Sequence, residues 1–316
     1  MKQLMTFTAA MLSLTLFGAK EAVWEGTATS SWDADASWRN GIKPEAGDWI
    51  WVVDGKTLPV SDANMPLLKT LQSLKVPKNA KVIFTLENDH ELETTVFSAT
   101  GDSGSGTVFK EGAGNLFFKA PTAKPFEGIS KIVLNGGSIQ TLPQSATLAF
   151  PVTEVNKPAM LVLGGNSGFT GLIGDGSVTN TMAGAQLYFT GGTDENPYIF
   201  RGKLLAGCHL TPNYYSTSVC RQYFEGEDTD AALDIRNYGI IGVKHLGTKA
   251  EGGSIGKNDF SFRGGPRPTL RYRGEGETTD KNFQFFNVCP IAYMDAGENG
   301  GVTFTGEWRI SAHGDL

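Results

Sequence analysis

The chain has few of the residues that most often carry chemistry. Among its 316 residues are only 4 histidines and 3 cysteines. None falls at the spacing of an HExxH helix or a CxxC pair, which excludes the ordinary zinc arrangements. No run of like charge forms a polybasic anchor or an acidic tail. The net charge of −6 gives no general attraction to nucleic acid, so no nucleic-acid partner is expected. Beyond the N-terminus no apolar run is long enough to cross a membrane as a helix, and no helical stripe of apolar residues recurs.

What the chain has instead is glycine. It carries 40, roughly one residue in eight and nearly twice the usual share. The hydrophobic content of 40% is too high for a disordered chain. Together they fit many short strands joined by tight turns. The length suits one large all-β domain or two smaller ones.

The first residues differ from the rest. Met1-Lys2 is followed by the uncharged segment Leu4–Ala19 and the small residues Gly18, Ala19 and Ala22. One positive charge, an apolar core and small residues read as a secretory signal peptide over residues 1–22. The run is too short for a transmembrane helix, so no membrane span is expected after cleavage. Export would permit a disulfide. Cys208 and Cys220 are the nearest pair, with Cys289 left over; three buried free thiols are the alternative.

Residues 23–65 hold five of the 6 tryptophans: Trp24, Trp32, Trp38, Trp49 and Trp51. Aromatics are mostly packing elements, so this region is expected to cap a repetitive structure. An aromatic ligand platform would look similar. From residue 66 to 316 the chain reads strand–turn–strand. Apolar alternation, a Gly/Asn turn and often an aromatic-x-Gly step recur, as at Phe126/Gly128, Phe169/Gly171, Phe200/Gly202 and Phe304/Gly306. The intervals are irregular, so the units are degenerate repeats with insertions. A unit of a few short strands cannot bury both faces alone, but stacking the units gives one continuous core. Val108, Leu116, Phe118, Ile132, Leu134 and Ile139 then point inward by the period of two. The expected fold is a right-handed parallel β-helix. An antiparallel β-sandwich is the competitor.

The stretch "VFKEGAGNLFF…FEGISKIVLNGGSIQ" resembles the autotransporter-associated β-strand repeat of bacterial passenger domains. Lys110, Gly112, Gly114, Leu116, Phe126, Gly128, Ile132, Leu134, Gly136, Gly137 and Ile139 carry the likeness. The Trp-rich opening is similar to the lead-in of such arrays, and "LRYRGEGETTDKNF" to another of their segments. The resemblance implies a secreted or surface-exposed structural β-helix or adhesin in bacteria, with an extracellular glycan or a cell-surface component as partner. Its glycines and apolar residues are structural, so no catalytic residue and no cofactor carries over. The membrane barrel that ends an autotransporter has no counterpart here. A stand-alone secreted protein, or a chain truncated at its C-terminus, is expected.

Candidate chemical motifs mostly fail on their spacing. "GDSGSG" at residues 101–106 looks like a protease nucleophile segment but lacks its His and Asp partners. "GGSIGKND" at residues 252–259 misses the Walker pattern at Glu251 and Asn258. Glu225, Glu227, Asp228, Asp230 and Asp234 offer hard oxygen ligands without an EF-hand pattern, and Asp33 and Asp35 fail likewise. His90, His209, His245 and His313 are isolated.

One stretch is locally basic, around Asp259, Arg263, Arg267, Arg271 and Arg273. Alternation places Arg271 and Arg273 outward, opposite Leu270 and Tyr272, where they could grip an acidic glycan. A solvated strand face is the plainer alternative. Because parallel β-helices include polysaccharide lyases and hydrolases, a polysaccharide-binding or polysaccharide-degrading protein is the second expectation beside a non-enzymatic one.

Overall fold

The computed structural model describes residues 19–93, 97, 106–119, 126, 128–143, 146–212, 220–227, 230–236, 239–263, 268–286, 291–296 and 300–311. Residues 1–18 of the segment read from sequence as a signal peptide (1–22), together with Arg267, Asp228, Cys289, His313 and most of "GDSGSG", lie outside the described residues. Every ladder between the described strands is parallel. Successive coils stack into a β-solenoid of about 10 turns. The antiparallel sandwich is thereby excluded: a sandwich joins neighbours by hairpins, whereas here each strand pairs with its equivalent one coil away.

The stacking follows from side-chain alternation. One inward row runs Leu58, Val82, Val108, Ile132, Thr153 and Leu172, all opposite one another in register. All six are buried. The other inward residues expected from the sequence (Leu116, Phe118, Leu134 and Ile139) are buried as well. A second row runs Val60, Phe84, Lys110, Leu134 and Val155. Lys110 is an interior lysine. Its stem packs in the row, and its ammonium donates to the corner carbonyls of Glu111 at 2.6 Å and Gly112 at 3.2 Å. Burial pushes its pKa below the ordinary lysine value, because a desolvated ammonium is disfavoured.

Phenylalanines fill the middle. Phe118, Phe126, Phe150, Phe169 and Phe189 form a continuous ladder with centroids 4.9–5.9 Å apart. The corners need glycine for two reasons. Gly112 and Gly137 have φ of 76° and 57°, in the left-handed region that glycine enters freely. A Cβ on Gly137 would also lie 2.2 Å from the carbonyl oxygen of Gly114 in the coil below. Stacked corners thus leave no room for a side chain.

The long sheet forks part-way along. In the strand Ser167–Gly174, residues Ser167–Phe169 pair with Leu187–Phe189, while Gly174 pairs with Phe200. Between them Leu172 has a strand partner on one side only. Gln222, fully buried, fills the gap: its Oε1 accepts from the Leu172 N–H at 2.9 Å, and its Nε2 donates to the Leu172 carbonyl at 2.8 Å. A buried backbone group must find a partner, and one side-chain amide serves both. From the fork onward two parallel faces diverge. One continues through Tyr198–Phe200, Arg221–Phe224, Ile240–Val243, Thr269–Tyr272 and Tyr293–Asp295. The other continues through Gln186–Phe189, His209–Pro212, Ala232–Arg236, Phe260–Arg263, Phe283–Phe286 and Trp308–Ser311.

The tryptophan region closes the N-terminal end. Trp24, Trp32 and Trp38 are buried and meet edge to face at 4.9 and 5.7 Å. Trp24 Nε1 donates to the Thr57 carbonyl at 2.7 Å, and Trp32 Nε1 to the Pro59 carbonyl at 2.5 Å. Thr57–Ser61 is the first strand of the long sheet, so these indoles occupy acceptors on its otherwise open edge. The cap also contains stacked strands of its own. Glu21–Trp24, Trp49–Val52 and Ser73–Lys75 form a parallel sheet, so stacking begins before residue 66.

Candidate functional site

Two places on the outer surface gather aromatic and charged side chains: the wall around Arg271 and the ledge around Trp51. On the wall, parallel stacking sets Tyr223, Gly242, Arg271 and Asp295 in one row across four coils. Gly242 lies mid-strand, where a Cβ would sit 2.1 Å from the Tyr223 ring. Its missing side chain lets that ring lie flat against the backbone and lets Arg271 reach back across the coil. Arg271 Nη1 donates to Tyr223 Oη at 3.0 Å, and its Nε donates to Asp295 at 2.7 Å. Asp194 lies 3.4 Å from the same guanidinium and is held by Arg221 at 2.6 and 3.0 Å.

Leu270 and Tyr272 are buried; Arg271 and Arg273 face out, with side chains 30% and 37% exposed, as alternation required. The structure brings both onto Tyr223. The Arg273 guanidinium lies 4.5 Å over the Tyr223 ring and 4.0 Å from Glu225. Hydrogen bonding to Arg221, its largest influence, holds the Asp194 carboxyl below its ordinary pKa. Burial alone would lower the pKa of Arg271, but Tyr223 and Asp295 together raise it. The wall is therefore a network in which Arg221, Arg271 and Arg273 each meet a carboxylate of Asp194, Asp295 or Glu225, the last shared with Arg201. Sequence reasoning found its two arginines and missed Tyr223, Asp194 and Asp295. The one local signal was Gly242 inside a strand, which marks close approach.

The remaining candidates disperse. Glu225 pairs with Arg201 at 3.2 Å, Glu227 with His245 at 3.7 Å, and Asp234 with Arg263 at 3.4 Å. Asp259 accepts from the backbone and side chain of Asn282. Asp35 meets Lys43, and His90 Nε2 donates to the Asp62 carboxylate at 2.7 Å. Among the described residues no three His, Cys, Asp or Glu converge as a metal site. Cys208 and Cys220, read from sequence as a candidate disulfide, are free buried thiols in the structure. Burial pushes both thiols up to about 12, so neither forms a reactive thiolate near neutrality.

No protein-family model, curated protein or solved structure matches this chain.

The ledge is built on the outer face of the cap sheet. Ala22, Ile50 and Leu74 face inward as one register row, while Val23, Trp51 and Lys75 form the next, outward row. Trp49 shares that outer face, two residues from Trp51 on the same strand. Lys75 Nζ lies 4.9 Å from the Trp49 ring and 5.5 Å from the Trp51 ring. The five clustered tryptophans thus divide: Trp24, Trp32 and Trp38 close the core, whereas Trp49 and Trp51 face solvent.

Proposed function

We propose that the chain is a secreted or cell-surface β-helix that acts as a structural or adhesin-type rod without chemistry of its own. The observation that carries the reading is the parallel ladder itself, running from the Trp cap to the last described coil over a packed phenylalanine interior. Such a ladder holds its outer surface rigidly along the axis. Each arginine of its wall is paired with a carboxylate of the same wall. Asp194, held ionised by arginine, is a poor general acid, the role that glycoside cleavage requires of one carboxyl of its pair. The sequence resemblance to autotransporter passenger repeats and the signal-peptide pattern support export.

Fractionation of the source cells with protease shaving tests this. The expected outcome is a mature N-terminus near residue 22 and digestion of the chain by external protease. Cytosolic, shielded protein with its first residues intact would sink the proposal. A polysaccharide screen tests the catalytic alternative: release of reducing ends or unsaturated products, lost on changing one carboxylate, would establish an enzyme.

A further inference from the structure

We infer that export processing cuts the Ala19–Lys20 bond, and that Asp48 is the binding site for the α-ammonium this creates on Lys20. This rests on the export reading proposed above and narrows the processing point expected near residue 22.

The sequence offers three junctions with a small residue on their N-terminal side: after Gly18, Ala19 or Ala22. The residues two places earlier are Leu16, Phe17 and Lys20, so none is a full Ala-x-Ala site. The fold separates the three. Glu21–Trp24 is an edge strand of the cap sheet, paired with Trp49–Val52. The Trp49 N–H extends that ladder by donating to the Lys20 carbonyl at 2.9 Å. Ala22 and Trp24 are fully buried, and Val23 nearly so. A cut after Ala22 would remove half of this strand and bare the core beneath Ala22. Ala19 and Lys20 are exposed, and removing everything up to Ala19 leaves each pair of the strand in place.

Asp48 decides between Gly18 and Ala19. It is only 5% exposed. Its Oδ1 accepts from the Lys20 backbone N–H at 2.8 Å, and its Oδ2 from the Glu45 N–H at 2.8 Å. Among the described residues no lysine, arginine or histidine side chain forms an ion pair with it. A buried carboxylate is costly without a counter-charge. Hydrolysis of the Ala19–Lys20 bond supplies one. Water is the co-reactant: the peptide C–N bond breaks, the water oxygen ends on the Ala19 carboxylate, and its two protons turn the Lys20 N–H into an ammonium. The Lys20 nitrogen already stands within the roughly 2.7–2.9 Å of an ammonium–carboxylate bond. A cut after Gly18 would keep that nitrogen an amide and leave Asp48 without its counter-charge.

The test begins with N-terminal sequencing of the exported chain recovered from the source cells. Lys20 is expected as the first residue. A processed chain that begins at Ala19, Val23 or any other residue would overturn this inference and leave export standing, whereas an uncut cytosolic chain would overturn export and this site together. The ion pair is then read from the rate at which an acylating reagent modifies the Lys20 α-amine near neutrality, located by mass spectrometry. The exported chain is expected to react roughly tenfold more slowly than the free peptide Lys-Glu-Ala-Val-Trp, the effect of one hydrogen bond to a charged group. Asp48→Asn should recover most of that difference. Equal rates for chain and peptide, or protection untouched by Asp48→Asn, would overturn the site. Sequencing and the peptide comparison need no substitution, so they decide the question even if Asp48→Asn does not fold.

Discussion

The first and the last described coils of the solenoid treat the same core differently. At the N-terminal end the first strand of the long sheet meets Trp24 and Trp32, whose indole N–H groups bond its Thr57 and Pro59 carbonyls. In the last described coils the inward row Leu187, Leu210, Leu233, Phe260 and Phe283 reaches Trp308. The first five are buried, whereas Trp308 is 56% exposed. The parallel row Ile235, Phe262, Phe285 ends on Ile310, 84% exposed among the described residues. Side chains of the same type in the same register thus differ in burial according to whether another layer lies over them. In a stacked fold, burial belongs to the neighbour as much as to the residue.

Substitutions at four positions would break or sharpen that contrast. The largest effect is expected from Trp24→Ala. Its cavity costs about 3–5 kcal/mol, with roughly 1 kcal/mol more for the orphaned Thr57 carbonyl. Urea denaturation should show the loss as a lower midpoint; an unchanged midpoint would mean the cap does not stabilise the solenoid. Gln222→Leu comes next. It keeps the volume but strips the Leu172 N–H and carbonyl of their partner at the fork, for roughly 2–4 kcal/mol. Gln222→Glu should restore only the bond from the N–H.

Lys281 tests the interior near the C-terminal end. Its ammonium is fully buried, donates to the Leu246 carbonyl at 2.5 Å and to the Gly256 carbonyl, and lies 5.1 Å from the Phe260 ring. Burial pushes its pKa from 10.5 down to about 8. Between those values the unfolded chain binds more protons than the folded one, so stability rises with pH across that window. The charge penalty is fully present below about pH 8 and relieved towards pH 10.5, and is worth on the order of 3 kcal/mol. Lys281→Met should abolish this component of the pH dependence, read as the difference between the two proteins' denaturation midpoints from pH 7 to 10.5. Parallel curves would contradict the assignment. The smallest effect is expected from Ile310→Lys, within about 0.5 kcal/mol. A large loss there would show that Ile310 is covered in solution.

Much of the fold was legible in the sequence because its rules are local. Alternation placed Val108, Leu134 and Ile139 inside, and the same alternation placed Arg271 outside. Lys110 shows the limit of that reading. Its position in the alternation is inward, yet only the carbonyls of Glu111 and Gly112 at one corner, and of Gly136 at the corner stacked on it, make an ammonium acceptable there. Gln222 reads as an ordinary polar strand residue until the fork leaves Leu172, 50 positions earlier, without a strand. Trp51 could not be separated from Trp24 by composition, since both lie in the same aromatic-rich stretch.

The sequence by itself determined that this chain is built of short strands that turn on glycine, with its tryptophans gathered near the N-terminus. Period-two burial, positive φ and aromatic packing are set by residues near one another in the chain. Only the tertiary structure decided which indoles face water, where the sheet divides, and that Arg271 meets Asp194 77 residues away. Insertions of unequal length separate the coils, so no local spacing fixes which residues become lateral neighbours. Register between coils does, and it is settled when the core closes.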